Sequence, residues 1–417
     1  MNGRGTIADI VIVGAALAGA TAARTLRDEG YDGRIRLFGT EPHAPYLRPP
    51  LSKDYLAGSD DRASLDVLDP AWYAEHDVDL HLGTRIVDLD PAGEVTAEDG
   101  ARFRFDRALL ATGSVARRLP IPGVDLDGVV SLRTLDESDR LREELRGGGR
   151  RLVLIGSGWI GMEVAATART LGNDVAILER DPIPLAAALG DEFGRVFARR
   201  HADHGVRIRT SIAVEAIVGD GRRATGVRLA TGTVVPADLV VVGVGAMPRI
   251  ELAERAGLDT GDGVLVDAAL RTSAPNVFAA GDIANAVHPR IGRRLRSEHW
   301  ANAIDGGTTA ARAMLGQAVA HDAIPYFYTD QFDLGMEYAG FAPLTRDAQV
   351  VTRGDPASGE FIAFWQRGGR VVAGMNVNVW DVNDDIKELV AAGGPVSPDA
   401  LRDPDIPLRM LERAAAS

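Results

Sequence analysis

The sequence predicts an α/β protein: two doubly wound, parallel-sheet units and a smaller C-terminal α+β domain. Three observations predict it. A complete strand, glycine turn, helix, strand and acid unit runs from Arg151 to Arg180, a weaker copy of it runs from Ile10 to Glu41, and the chain changes after Pro325 to short strand-like runs.

Each element follows from local chemistry. Arg151–Ile155 is an apolar, β-branched run, the pattern of a strand buried on both faces. Gly156, Gly158 and Gly161 follow as GxGxxG. The first glycine permits a tight turn, the second lets a pyrophosphate approach the backbone, and the third lets the new helix press on the strand. The phosphates would sit at the positive helix N-terminus. An Ala-rich helix is expected over Ile160–Leu171, stopped by Gly172, and the strand Asp174–Leu178 delivers Glu179 where a ribose would lie. A glycine-rich turn in an ordinary α/β domain lacks that terminal acid. The earlier copy has the strand Ile10–Val13, then Gly14, Ala16 and Gly19 in the glycine places, with Ala18 in the same turn. A helix through Leu26, the strand Ile35–Phe38 and the ribose contact, either Thr40 or the favoured acid Glu41 one residue beyond it, complete it. Alanine in the middle place weakens the fingerprint without closing the turn. Two Rossmann-like units in one chain imply two dinucleotides.

Composition bounds the function. A chain of 417 residues that is 46% hydrophobic can bury two or three cores, and a net charge of −13 without long charge runs argues against nucleic-acid binding. The absence of cysteine excludes structural disulfides, a cysteine-held iron–sulfur cluster, a cysteine nucleophile and a dithiol redox centre. Any redox chemistry must then be carried by bound organic cofactors. The opening Met1–Ala8 is too short and polar for a secretory signal, and no apolar run reaches membrane-spanning length. A soluble cytoplasmic protein without a resident metal is expected, its oligomeric state left open.

The segment PYLRPPLSKDYLAG at Pro45–Gly58 brings in a resemblance, together with ATG at Ala111–Gly113, LRTLD at Leu132–Asp136, AAGD at Ala279–Asp282, EHW at Glu298–Trp300 and PYFYTDQFD at Pro325–Asp333. With these motifs the chain resembles, from Ile10 to about Val390, the FAD-dependent NAD(P)H:ferredoxin reductases of the glutathione-reductase-like class. Those enzymes feed [2Fe-2S] ferredoxins of cytochrome P450 and ring-hydroxylating dioxygenase systems. The resemblance implies a discontinuous FAD domain at 1–114 and 247–324, an NAD domain at 115–246 and a C-terminal domain at 325–417. It also implies direct hydride transfer from nicotinamide to flavin, which needs two positioned rings and no nucleophile.

Site residues follow on the same terms. For FAD they are Gly14, Ala16, Ala18, Gly19, Glu41, Arg48, Lys53, Ile86, Thr112, Gly113, Arg133, Asp282, Trp300 and Tyr328. For NAD they are Gly156, Gly158, Trp159, Ile160, Gly161, Glu163, Glu179, Arg180 and Gly245. Asp282 is expected on the ribityl chain, and Arg48 beside the isoalloxazine segment or on the surface. A helix over Glu298–Arg312, its regularity weakened by Asn302, Gly306 and Gly307, should point its N-terminus at the flavin pyrimidine edge. Trp300 then serves the flavin or packs in the core. Lys53 and Glu163 are expected to form the catalytic ion pair. Trp159 covers the flavin face or packs the helix on the sheet, and Tyr328 stands where the family usually has tryptophan. Glu179 repels a 2′-phosphate and favours NADH over NADPH, with Arg180 beside it as a counterweight. Arg290, Arg293, Arg294 and Arg296 are expected in a loop that docks an acidic [2Fe-2S] ferredoxin or is simply solvated. The missing cysteines exclude the family's disulfide reductases. A reductase of quinone or monodehydroascorbate, and a redox-sensitive binding flavoprotein resembling apoptosis-inducing factor, stay open.

Overall fold

The computed structural model describes residues 7–411, so the opening segment through Thr6 lies outside the described residues. The chain packs into two compact units. The first joins the chain through Arg48 with Arg62–Val115 and Ala246–Ala323; the second joins Pro49–Asp61, Ala116–Gly245 and the chain from Ile324 onward.

In the first unit a five-stranded parallel sheet has the order Val277–Ala279, Arg107–Leu110, Asp9–Val13, Arg34–Phe38, Val78–His81. Its middle strand carries Ile10, Val11 and Ile12, all fully buried, as an uninterrupted apolar strand requires. The helix Leu17–Asp28 returns across it. A second helix, Trp300–Met314, runs unbroken through Gly306 and Gly307. These glycines do not loosen it: a Cβ at Gly307 would lie 2.5 Å from the Ala18 carbonyl, so glycine lets the two helices touch. The helix begins at Trp300 rather than Glu298, because His299 holds extended backbone as its N-cap. The unit also holds a three-stranded antiparallel sheet and a four-stranded mixed sheet, the latter ending in the hairpin Ala284–His288 with Arg293–Leu295. The arginine loop expected over 290–296 is therefore a turn and a strand.

The second unit repeats the plan, with the parallel order Arg207–Arg209, Asp174–Leu178, Arg151–Ile155, Leu239–Val242, Val129–Val130. The helix Trp159–Thr170 follows the glycine turn. The chain from Tyr326 to Val377 forms a five-stranded antiparallel sheet, covered by the helix Asn383–Ala392. The segment Pro49–Asp61, which the sequence division kept with the FAD domain, packs within this unit. Thr167 Oγ1 donates to the Ser52 carbonyl at 2.8 Å, Ser138 Oγ to the Leu51 carbonyl at 2.8 Å, and the Tyr55 hydroxyl to Asp139 at 2.6 Å.

Candidate functional sites

In the first unit the turn after Asp9–Val13 is built for close approach. Gly14 has φ +128°, and a Cβ there would stand 2.0 Å from the Ala111 carbonyl. A Cβ on Gly19 would stand 2.0 Å from the Gly14 carbonyl, so glycine at both places is a demand of the fold. Ala16 is the N-cap of Leu17–Asp28, and no side chain caps the helix, which leaves its first amides for an anion. Ala18 is buried under Gly281.

Glu41 stands just past the second strand and accepts the Tyr46 hydroxyl at 2.6 Å and Arg48 Nη2 at 2.8 Å. Arg48 also donates to the Tyr46 hydroxyl at 3.1 Å and lies over its ring. Arg48, its side chain 27% exposed, is thus held on the acid that follows the second strand rather than left free on the surface. Burial opposes its charge, yet Tyr46, Glu41 and Asp282 outweigh that and raise its pKa. A carboxylate has about four acceptor positions, so Glu41 keeps room for ribose hydroxyls.

Asp282 lies in the single turn Gly281–Ile283, is 9% exposed and accepts Ser114 Oγ at 2.9 Å. Thr112 Oγ1 donates to the Arg249 carbonyl at 2.8 Å, and Gly113 has φ +67°. Ile86 is buried at the start of an antiparallel strand, within the unit's core. Trp300 is 38% exposed, which removes the core-packing reading. His299, the N-cap, is kept neutral because burial pushes its pKa down to about 4.

In the second unit the three glycines divide their work. A Cβ on Gly156 would meet the Gly243 carbonyl at 2.5 Å and one on Gly161 the Gly156 carbonyl at 2.6 Å, whereas Gly158 faces open space. The helix N-terminus at Gly158 has no side-chain cap. Such a turn leaves room for a phosphate group, with backbone packing on two sides and open space on the third. Ile160 is 45% exposed in the first turn, and Gly245 has φ +97° with nothing close to it. Glu179 folds back on the turn, accepting Ser157 N at 2.7 Å and Asp181 N at 2.8 Å as well as the Ser157 hydroxyl. Arg180 points to solvent, near Asp181. Trp159 packs with Phe327 at 5.1 Å and Phe197 at 6.2 Å between ring centroids. Arg133 precedes the helix Leu135–Leu145, whose N-terminus is held by a Thr134 and Glu137 capping box; the LRTLD motif therefore carries a helix start.

The same unit brings Lys53 and Glu163 together, 3.1 Å apart, with side chains 11% and 5% exposed. Glu163 also accepts Ser52 Oγ at 2.5 Å and Thr329 Oγ1 at 2.6 Å. The Lys53 ammonium lies 5.1 Å from the centroid of the Tyr328 ring. Burial first, then Asp330, Glu163 and Asp54, push the Tyr328 phenol up to about 12. Sequence reasoning missed Tyr46, Ser114, Ser157, Ser52 and Thr329. All but Ser114 lay inside the motifs, but nothing in a motif tells which of its hydroxyls turns inward.

Of the four arginines expected to dock a partner, Arg290 pairs with Asp322 and Arg296 with Asp262 and Glu298. Arg294 donates to the Val266 and Asn285 carbonyls at 3.0 and 2.6 Å. No helix among the described residues is long and apolar enough to cross a membrane.

Comparison with known proteins agrees with this geometry. Residues 8–307 match the family described as pyridine nucleotide-disulphide oxidoreductase, and residues 326–412 match the reductase C-terminal domain. The chain belongs to the pyridine nucleotide-disulphide oxidoreductase family. Within that family it is 38% identical to rhodocoxin reductase of Rhodococcus erythropolis, over 96% of this chain and 93% of the relative. It is 41% identical to the biphenyl dioxygenase system ferredoxin–NAD(+) reductase component of Paraburkholderia xenovorans, over 97% and 98%. The crystal structure of the covalent putidaredoxin reductase–putidaredoxin complex matches it with TM-score 0.94 at 33% identity, over 98% of this chain and 99% of that one. This pyridine nucleotide-disulphide oxidoreductase nevertheless has no cysteine, so the disulfide chemistry in the family's name is closed to it.

Proposed function

We propose that this chain is an NADH-dependent, FAD-bearing ferredoxin reductase serving a cytochrome P450 or ring-hydroxylating oxygenase. The observation that carries the reading is the pair of glycine turns with uncapped helix amides in a chain without a thiol. Two dinucleotides fit, and electrons have no dithiol through which to leave. The full-length likeness to reductases that feed ferredoxins supports a ferredoxin as acceptor.

Bound together, FAD and NADH supply hydride chemistry and the conversion of a two-electron donor into a one-electron one. The chain's own residues bind, orient and tune. Gly14, Ala16, Ala18 and Gly19 would hold the FAD pyrophosphate on the helix amides, with Glu41 on the ribose and Asp282 on the ribityl chain. Ile86, Thr112, Gly113, Arg133, Trp300 and Tyr328 are proposed to line the same cofactor. Gly156, Gly158, Trp159, Ile160, Gly161 and Gly245 would hold NADH, with Glu179 against its ribose. Lys53 would place a cation that favours an electron-rich ring, and Glu163 holds that cation in position. Glu179 disfavours a 2′-phosphate, and Arg180 faces solvent beside Asp181, so NADH is the expected coenzyme. The acceptor is proposed to be an acidic [2Fe-2S] protein. Arg293 is its most available contact, since Arg290 and Arg296 pair with carboxylates and Arg294 spends its donors on backbone carbonyls.

The test is reduction of cytochrome c by NADH with and without an added [2Fe-2S] ferredoxin. Rapid reduction that depends on the ferredoxin is expected. Equal rates without it, or rapid turnover of a quinone, would move the assignment to a small-molecule reductase.

A further inference from the structure

The lysine–glutamate pair is the visible end of a longer buried chain. Glu163 Oε1 accepts Thr329 Oγ1 at 2.6 Å; Thr329 Oγ1 accepts Gln331 Nε2 at 3.1 Å; Gln331 Oε1 lies 2.9 Å from His201 Nε2. Thr329 and His201 are fully buried, and Gln331 is 1% exposed. The proton directions follow from the donor inventory, with Glu163 as a carboxylate facing the Lys53 ammonium at 3.1 Å. A carboxylate only accepts, so Thr329 gives its single hydroxyl proton to it. The hydroxyl oxygen must then receive the Gln331 amide hydrogen, which turns the Gln331 carbonyl to His201. His201 must in turn donate from Nε2. Its Nδ1 has no partner among the described residues, as expected of a neutral ring, and burial pushes its pKa down to about 4. The chain of donors therefore has one polarity and ends on one carboxylate oxygen.

We propose that Thr329, Gln331 and His201 are positioning residues for the Lys53–Glu163 pair: their donors run one way and fix the orientation of the Glu163 carboxylate, and through it the Lys53 ammonium. His201 sits on the helix Asp191–Asp203, beyond the nicotinamide-type strand, while Thr329 and Gln331 lie on the first strand of the C-terminal sheet. The network thus ties three segments distant in sequence to one charge. Flipping the Gln331 amide would place its carbonyl on the Thr329 hydroxyl and draw that proton away from Glu163. Histidine donating from Nε2 opposes the flip, because two donors would then meet unless the ring moved its proton to the unpartnered Nδ1. An apolar residue in place of His201 would permit it, and the disturbance would reach Lys53 four links away.

The inference deepens the proposed function, since the ammonium it positions is the one assigned to the flavin, but it can be tested separately. The chain contains two lysines, Lys53 and Lys387, so 15N-lysine labelling gives two ammonium signals, with the exposed-side Lys387 as internal control. The readout is the exchange rate of the Lys53 ammonium protons with water in the full-length holoprotein. Thr329→Val is expected to speed exchange about tenfold, Thr329→Ser to restore the wild-type rate, and His201→Leu to speed it about threefold, with Lys387 unchanged throughout. In parallel, NADH reduction of the flavin should slow in Thr329→Val with NADH affinity unchanged. If Thr329→Val does not fold, His201→Leu supplies the same reading from the far end. Wild-type Lys53 exchange in Thr329→Val or in His201→Leu, or failure of Thr329→Ser to rescue, overturns the proposal. A protein that binds no flavin yet shows the expected exchange pattern would refute the proposed function and leave the network standing.

Discussion

Lys53 carries the sharpest single-residue consequence. It is one of two lysines in a chain rich in arginine, and it is buried against a carboxylate with three donors. Arginine would need a planar, bidentate site, whereas this one offers a single oxygen to a compact cation. Lys53→Met removes the cation and keeps the stem. Flavin reduction by NADH, followed by stopped flow, is expected to slow by about 10- to 100-fold; an unchanged rate and an unchanged flavin potential would remove Lys53 from the site. Histidines give a second prediction at this scale. His201, His299 and His321 are each pushed by burial from an ordinary value of 6.5 to about 4. The unfolded chain therefore binds more protons than the folded one between those values. Stability is full above about pH 6.5 and is lost as pH falls toward 4, by up to about 1.4 kcal/mol per histidine per pH unit. Heat-unfolding midpoints measured from pH 7 to pH 4.5 should drop along this course, and His321→Gln should flatten the drop.

At the scale of the element, the two glycine turns separate packing from binding. Gly161 touches the preceding strand's turn and Gly158 touches nothing. Gly161→Ala is expected to lower the heat-unfolding midpoint by several degrees, through a clash worth about 2 kcal/mol. Gly158→Ala should leave that midpoint in place and raise the KM for NADH about tenfold, since its methyl enters the phosphate cradle. Thermal melts and steady-state kinetics on the two variants check both halves. These turns were legible because buried parallel strands write themselves as unbroken apolar runs: Arg151–Ile155 and Asp174–Leu178 were read to the residue. The hairpin Ala284–His288 with Arg293–Leu295 was not. Four arginines over seven residues look solvated, and only pairing of Ala286 with Leu295 and His288 with Arg293 makes a strand of them. The helix Trp300–Met314 was blurred for a related reason. Its glycines weaken helix propensity locally, and the compensation comes from the helix it touches. Hydroxyl partners such as Ser114 and Thr329 escaped because a single donor, supplied from a distant segment, leaves no periodic trace.

At the scale of the whole molecule, the missing cysteine separates this chain from the sulfur chemistry of its family. Treatment of the reductase alone with excess iodoacetamide, followed by removal of the reagent, should leave ferredoxin-dependent turnover unchanged within error. A large loss would mean that some other alkylatable group governs electron transfer. The same composition explains why class and cofactors were readable early. With sulfur absent and two nucleotide turns present, few redox designs remain. The assignment of Pro49–Asp61 to the second unit was not readable, because it depends on single bonds such as Thr167 to Ser52 and Ser138 to Leu51.

One topological detail bears on how the protein is made. The edge strand Val277–Ala279 pairs with Arg107–Leu110, and the helix Trp300–Met314 packs on a helix near the beginning of the chain. A ribosome must therefore release the entire Ala116–Gly245 insertion before the first sheet can close. At typical elongation rates that interval is on the order of ten to thirty seconds. During it the nascent flavin-type unit lacks one edge and its second helix, so translation sets the earliest moment at which this protein can capture its cofactor.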